Sequence, residues 1–176
     1  MANKNVHKKT NIVLIGFMGS GKTVLAEMLA KKLKMEFVEM NDLVLKKSGR
    51  KSINDIFDKD GEPHFRELEI EVAKDLRKID HSVIAAGGGI IVNKLVVDYL
   101  RENGYIIYLR VGFNEAKKRL RNFHDRPNFR DPRYARRLYN FRKTLYRAYA
   151  DDYVRTDKKT LEEVADEIIE LIKDDE

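Results

Sequence analysis

Asn11-Ile12-Val13-Leu14-Ile15-Gly16-Phe17-Met18-Gly19-Ser20-Gly21-Lys22-Thr23 decides how the chain is read. Ile12 to Ile15 are four consecutive apolar residues, the pattern of a short buried strand. Gly16 to Thr23 then match G-x-x-x-x-G-K-[ST], a phosphate-binding loop. From Val24 to Leu33, apolar residues recur at Leu25, Met28, Leu29 and Leu33, a helical stripe. A glycine-rich turn that fitted the motif by chance would not bring its own strand and helix. A polyphosphate needs several donors converging on one point. Glycine lets successive backbone N–H groups face the anion, and the helix N-terminus adds free N–H groups and a favourable dipole. Gly19, Ser20, Gly21, Lys22, Thr23 and Val24 are therefore expected around the nucleotide phosphates. Lys22 is placed to reach the β- and γ-phosphates, and the Thr23 hydroxyl to ligate Mg²⁺.

The chain has 176 residues, most simply one domain spanning 1–176 and large enough for a real core. With 43% apolar and 36% charged residues it belongs with globular rather than disordered chains. There is no cysteine, which excludes disulfides, thiolate metal sites and cysteine nucleophiles and fits a reducing cytoplasm. Residues 1–10 are polar and basic, neither a secretory signal nor a membrane span, and are expected to be a flexible tail. Net charge is +6, yet residues 117–147 hold twelve Lys or Arg against two acids, so the remainder is acidic. Such a segment suits polyphosphate and carboxylate on a small molecule. A solvated helix face and a nucleic-acid surface are the two other readings; no nucleic-acid partner is expected.

Working outward, Met35 to Met40 reads as a second strand ending in Glu39, Asn41 and Asp42. In an open parallel sheet the strand C-termini face the ligand crevice, so Glu39 is a candidate for holding a Mg²⁺-bound water. Helices are expected over Asp42–Lys47, after the Ser52 cap, and over Glu62–Lys78. Arg66, near the start of the last of these, either clamps a carboxylate or pairs with Glu62 or Glu69. Ser82 to Ala86 is a third strand running into Gly87-Gly88-Gly89, where backbone is expected to approach a ligand closely. Tyr105 to Leu109 is a fourth strand, and Asn114 is expected to cap the following helix. Residues 122–133, with two of the three prolines, read as a lid. Tyr134 to Tyr149 is an arginine- and tyrosine-rich helix, Tyr153 to Thr156 a fifth strand, and Leu161 to Ile172 a last helix. Strands and helices alternate, so the fold is α/β: a three-layer αβα sandwich around a central five-stranded parallel sheet.

Taken in order, these features resemble the shikimate kinase family. The resemblance rests on the 15–23 loop, Phe37 to Asn41, Asp60-Gly61-Glu62 with Phe65-Arg66, Ala86 to Gly89, Arg126-Pro127, and Arg142 with Leu145-Tyr146. It implies a P-loop NTPase fold of the nucleoside monophosphate kinase-like kind. It implies ATP and Mg²⁺ as cofactors, and transfer to a hydroxyl of a small carboxylated polyol, foremost the 3-hydroxyl of shikimate. Arg66 and Arg142 would grip the carboxylate, Gly87, Gly88 and Gly89 would line the same pocket, and residues about 40–80 would form the substrate-binding region. Arg126 would close over the phosphates with Lys22, and Arg119 would pack near the adenine. A monomer acting on small molecules is expected, with no membrane.

Four positions depart from the family pattern. Glu39-Met40-Asn41 stands where the family has Asp-x-Asp, Ala86 where a hydroxyl residue is common, and Thr144 where a proline is usual. The second acid of that pattern bonds the ring hydroxyls and is cast as the base; Asn41 orients a hydroxyl but is not a useful proton acceptor. A kinase of a related substrate with altered hydroxyl recognition, and a nucleotide-binding regulator with little turnover, are the alternatives this asparagine leaves open.

Overall fold

Alternate residues of the first strand, β1 (Asn11–Ile15), go to opposite sides of one sheet. Ile12 and Leu14 join a core formed with Leu25, Leu29, Val164 and Ile168, whereas Val13 and Ile15 join a second core formed with Leu68, Val72, Val97 and Tyr146. A strand flanked on both faces must be apolar at every position, which is why it reads as an unbroken run. The computed structural model of the protein describes residues 9–120 and 131–174. Lys9 and Thr10, expected in the tail, are anchored: Lys9 Nζ lies 2.7 Å from Asp151 Oδ2, and Thr10 Oγ1 donates to Asp80 Oδ1 at 2.7 Å.

Four further strands pair in parallel with or beyond β1: β2 (Glu36–Glu39), β3 (Ser82–Ala85), β4 (Gly104–Arg110) and β5 (Asp152–Arg155). Their order across the sheet is β2-β3-β1-β4-β5, all parallel. The chain therefore moves outward from β1 to β2, returns through β3, and crosses over to β4, making β1 the switch point where crevices form at strand C-termini. Register brings the ends level, with Glu39 beside Ala85, Ala85 beside Leu14, and Ile15 beside Tyr108. Helices α1 (Lys22–Leu33) and α8 (Leu161–Asp174) cover one face; α4 (Gly61–Leu76), α5 (Lys94–Arg101) and α7 (Pro132–Tyr149) cover the other. The expected three-layer sandwich is thus the observed one. Among the described residues no helix is long and apolar enough to cross a membrane.

Two helix starts differ from expectation in how they are capped. The second strand stops at Glu39, and helix α2 (Met40–Ser48) begins one residue later, so Asn41 sits in a helical first turn rather than at a strand tip. The cause is local: the Glu39 carboxylate accepts from the Asn41 backbone N–H at 3.3 Å and caps the helix. Asn114 does not cap the sixth helix; α6 (Phe113–Arg119) has Gly112 as its cap residue and Asn114 inside its first turn. Ser52 does cap α3 (Ile53–Lys59), accepting from Asp55 N–H at 3.1 Å. The α2–α3 turn is fastened by a two-point pair, Arg50 Nε and Nη2 to Asp60 at 2.8 and 2.6 Å, just ahead of α4. The expected lid at 122–133 lies, apart from its last three residues, outside the described residues.

Candidate active site

The chain from Gly16 to Gly21 turns back on itself at the C-terminal end of β1. Ser20 N–H donates to Phe17 C=O at 3.1 Å, and Lys22 Nζ donates to the Gly16 and Phe17 carbonyls at 2.8 and 3.1 Å. Gly19 is required twice over: it has φ 77°, and a Cβ there would stand 2.6 Å from the Ala116 carbonyl of α6. Helix α1 opens at Lys22 with no acid in its first turn, so its N–H groups and dipole present positive charge to the loop. Thr23 Oγ1 donates to Glu39 Oε2 at 2.7 Å, which joins the two residues expected at a metal. Val24 is more than half exposed on the next turn.

A second pocket opens on the same sheet edge, around the glycines that follow β3. A Cβ on Gly88 would stand 3.5 Å from the Gly16 carbonyl, so this turn lies against the phosphate loop. At Gly87 the same construction meets Asn41 Oδ1 at 3.2 Å and Glu69 Oε1 at 3.3 Å. At Gly89 it meets Arg66 Nη1 at 2.8 Å, Arg66 Nη2 at 3.1 Å and Arg142 Nη2 at 3.4 Å. The two guanidinium groups therefore converge on a spot that any side chain at Gly89 would fill. Helix α7 supplies Arg142 and, one turn on, Tyr146. The Tyr146 hydroxyl donates to the Gly88 carbonyl, and its ring stacks on Tyr108 at 5.1 Å between centroids. Burial pushes the Tyr146 hydroxyl well above its ordinary value and keeps it a donor.

Charges in this pocket are unequally compensated. Arg66 is bracketed by its own helix, with Nη1 2.6 Å from Glu69 Oε2 and Nη2 2.8 Å from Glu62 Oε1. Arg142, only 6% exposed, forms no ion pair among the described residues, and its Nε has no hydrogen-bond partner. Burial pulls its guanidinium down from the ordinary value, with Arg66 adding to the effect. Burial pushes the Glu69 carboxyl up, and Arg66 and then Arg142 draw it back. A buried cation with an unused donor calls for an anion.

The expected residues fall into two groups. Gly19 to Thr23 and Glu39 gather at the loop; Asn41, Arg66, Gly87, Gly88, Gly89 and Arg142 gather in the adjoining pocket. Arg119 belongs to neither cluster directly: it reaches across to the end of β5, donating to Thr156 O at 2.8 Å and Thr156 Oγ1 at 3.1 Å. Arg126 lies outside the described residues. One pocket residue escapes a reading by motif. Glu69 is an acid on the apolar stripe of α4, four residues after Phe65 and three before Val72, and that misplaced charge is the signal. Tyr146 stands four residues after Arg142, the spacing that puts both on one helix face.

A glycine loop and helix N-terminus at the switch point of a parallel sheet, with an arginine-lined acceptor pocket against it, define a P-loop phosphotransferase. The shikimate kinase family model matches residues 18–173. A shikimate kinase of Sulfurihydrogenibium is 38% identical over 164 residues, covering 93% of this chain and 98% of its own. The solved shikimate kinase of Acinetobacter baumannii, in complex with shikimate, superposes with a TM-score of 0.88 at 30% identity, covering 95% of this chain and 94% of that one. That of Aquifex aeolicus gives 0.78 at 32% identity, covering 94% and 97%. The chain belongs to the shikimate kinase family.

Proposed function

We propose that this enzyme transfers the γ-phosphoryl group of ATP to the 3-hydroxyl of shikimate, releasing ADP. The observation that carries the acceptor is Arg142, buried without an ion pair among the described residues, with its Nη2 and both Nη atoms of Arg66 aimed at Gly89. A planar carboxylate fits that fork, and the absence of side chains at Gly87 to Gly89 leaves room for a ring beside it. Gly88 against Gly16 then sets the acceptor next to the phosphate loop. Transfer proceeds through a loose transition state, so positioning and charge neutralisation do most of the work.

In this reading the backbone of Gly19 to Val24 cradles the phosphates, and Lys22 leaves the Gly16 and Phe17 carbonyls for the transferring group. Arg126 and Lys22 neutralise charge, Arg119 lies on the adenine side, and Asn41 orients acceptor hydroxyls. The Thr23 hydroxyl and Glu39 carboxylate form a pair of hard oxygens that suits Mg²⁺, an ion that keeps several waters and few protein ligands. Mg²⁺ would neutralise charge on the phosphates. In this reading the enzyme is a single-domain monomer that works in the cytoplasm.

ADP release measured in parallel with shikimate, quinate, gluconate and nucleoside monophosphates tests the proposal. Turnover is expected with shikimate and not with nucleoside monophosphates. Nucleotide binding without turnover on any of them would instead make the chain a nucleotide-binding regulator, the reading Asn41 favours.

A further inference from the structure

Position 41 is an amide here, so the proton of the attacking hydroxyl needs another destination. Asp42 is not one, because it is exposed on the outer side of the first turn of α2. Glu69 is different. Its side chain is 2% exposed, its Oε2 is taken by Arg66 Nη1 at 2.6 Å, and its Oε1 accepts no hydrogen bond among the described residues. That free oxygen and Asn41 Oδ1 both come within 3.3 Å of the place where a Gly87 Cβ would stand, so they flank one spot in the acceptor pocket. An acceptor hydroxyl lodged against Gly87 would lie within reach of that open oxygen and could donate to it.

We infer that Glu69, through Oε1, takes the proton of the acceptor hydroxyl in this enzyme, while Asn41 only orients that hydroxyl. The inference rests on the proposed phosphoryl transfer to a hydroxy acid. The hydroxyl oxygen bonds to the γ-phosphorus, the bond from that phosphorus to the bridging oxygen breaks with its electron pair going to ADP, and the hydroxyl proton passes to Glu69 and then to solvent. Burial favours the protonated form of this carboxyl and so makes it a better acceptor than an exposed glutamate. The charged groups facing it are Arg66 and Glu62 from α4 and Arg142 from α7; Asn41 faces it from α2 without charge.

Glu69→Gln keeps an oxygen for Arg66 and removes the proton acceptor. Steady-state kinetics with shikimate should show kcat lowered about 10²–10⁴-fold, with KM for ATP unchanged. The acid limb of the kcat–pH profile, lying above the ordinary carboxylate range in the wild type, should vanish. Adding Asn41→Asp to that variant should restore part of kcat, because the acid returns to the other side of the same spot; a residue that only held Arg66 would not be rescued this way. Unchanged kcat in Glu69→Gln with a raised shikimate KM would overturn the inference, as would a tenfold or larger gain in Asn41→Asp. If the wild type turns over another hydroxy acid and not shikimate, the acceptor assignment fails, and the same variants measured on that acid still decide the role of Glu69. Absence of turnover on every acceptor would overturn both.

Discussion

Arg142 is the side chain on which the proposed acceptor recognition turns, and its chemistry is not that of a generic cation. Replacing it by lysine keeps the charge and loses the planar fork. Arg142→Lys should forfeit a charge-assisted bond of about 1.5–3 kcal/mol, roughly a 10- to 150-fold rise in shikimate KM, with ATP affinity by calorimetry unchanged. Tyr146 acts one step back, through the Gly88 carbonyl. Tyr146→Phe leaves that carbonyl short of a donor and should lower stability by about 1–3 kcal/mol in denaturant titration. Shikimate KM should rise with it while ATP KM stays put; equal effects on both would reduce Tyr146 to a core residue. At this scale the phosphate loop was legible because its meaning is local: eight consecutive residues carry it. Glu69 was not, since its role depends on α4 burying that face of the helix against the glycine turn, a tertiary fact. For Arg66 the ion pairs left open by its spacing are present, to Glu62 and Glu69, and the Nη atoms that make them also face Gly89.

Helix α7 links the last residues of the expected lid to the acceptor pocket. Asp131 caps it, accepting from Arg133 N–H at 2.8 Å, Pro132 follows at its first position, and Arg142 and Tyr146 lie roughly three and four turns further on. Asp131→Ala should cost about 1 kcal/mol of stability, read by denaturant titration, without displacing the buried half of the helix; shikimate KM should change less than in Arg142→Lys. Most elements of the chain were readable because strand runs and helical stripes are periodic and flanked by caps. The failures have physical causes at the ends. Glu39 stops β2 by capping the next helix with its own side chain, a competition between sheet and cap that residue type alone does not decide. At α6, Gly112 takes the extended cap geometry that Asn114 was expected to take, and Asp157 Oδ1 secures it by accepting from Gly112 N–H at 2.8 Å. That partner is distant in sequence and therefore invisible to a local reading.

Across the whole molecule, alternation of strands and helices was enough to give layers and parallel pairing. It did not give the order β2-β3-β1-β4-β5, because right-handed crossovers restrict the sequence of strands without selecting one. Charge is likewise a property of the whole chain. The surplus of cations in residues 117–147 sits on a chain otherwise acidic, a charge asymmetry that should favour the approach of anionic substrates. Raising ionic strength from about 0.01 M to about 0.15 M shortens the screening length roughly from 30 to 8 Å. Apparent ATP affinity should weaken severalfold over that range, and an unchanged affinity would mean that only short-range contacts matter.

Glu39 holds the Thr23 hydroxyl with one oxygen and the Asn41 backbone with the other. One carboxylate thus touches both halves of the candidate cleft, and the two ligands should be thermodynamically linked through it. If ADP with Mg²⁺ fixes Glu39, it also fixes the first turn of α2, and shikimate should then bind more tightly than to the free enzyme. Linkage makes the effect reciprocal: shikimate must tighten ADP by the same factor, commonly about 5- to 150-fold for such couplings. Calorimetric titrations of each ligand with and without the other measure it, and Glu39→Gln should bring the two factors down together.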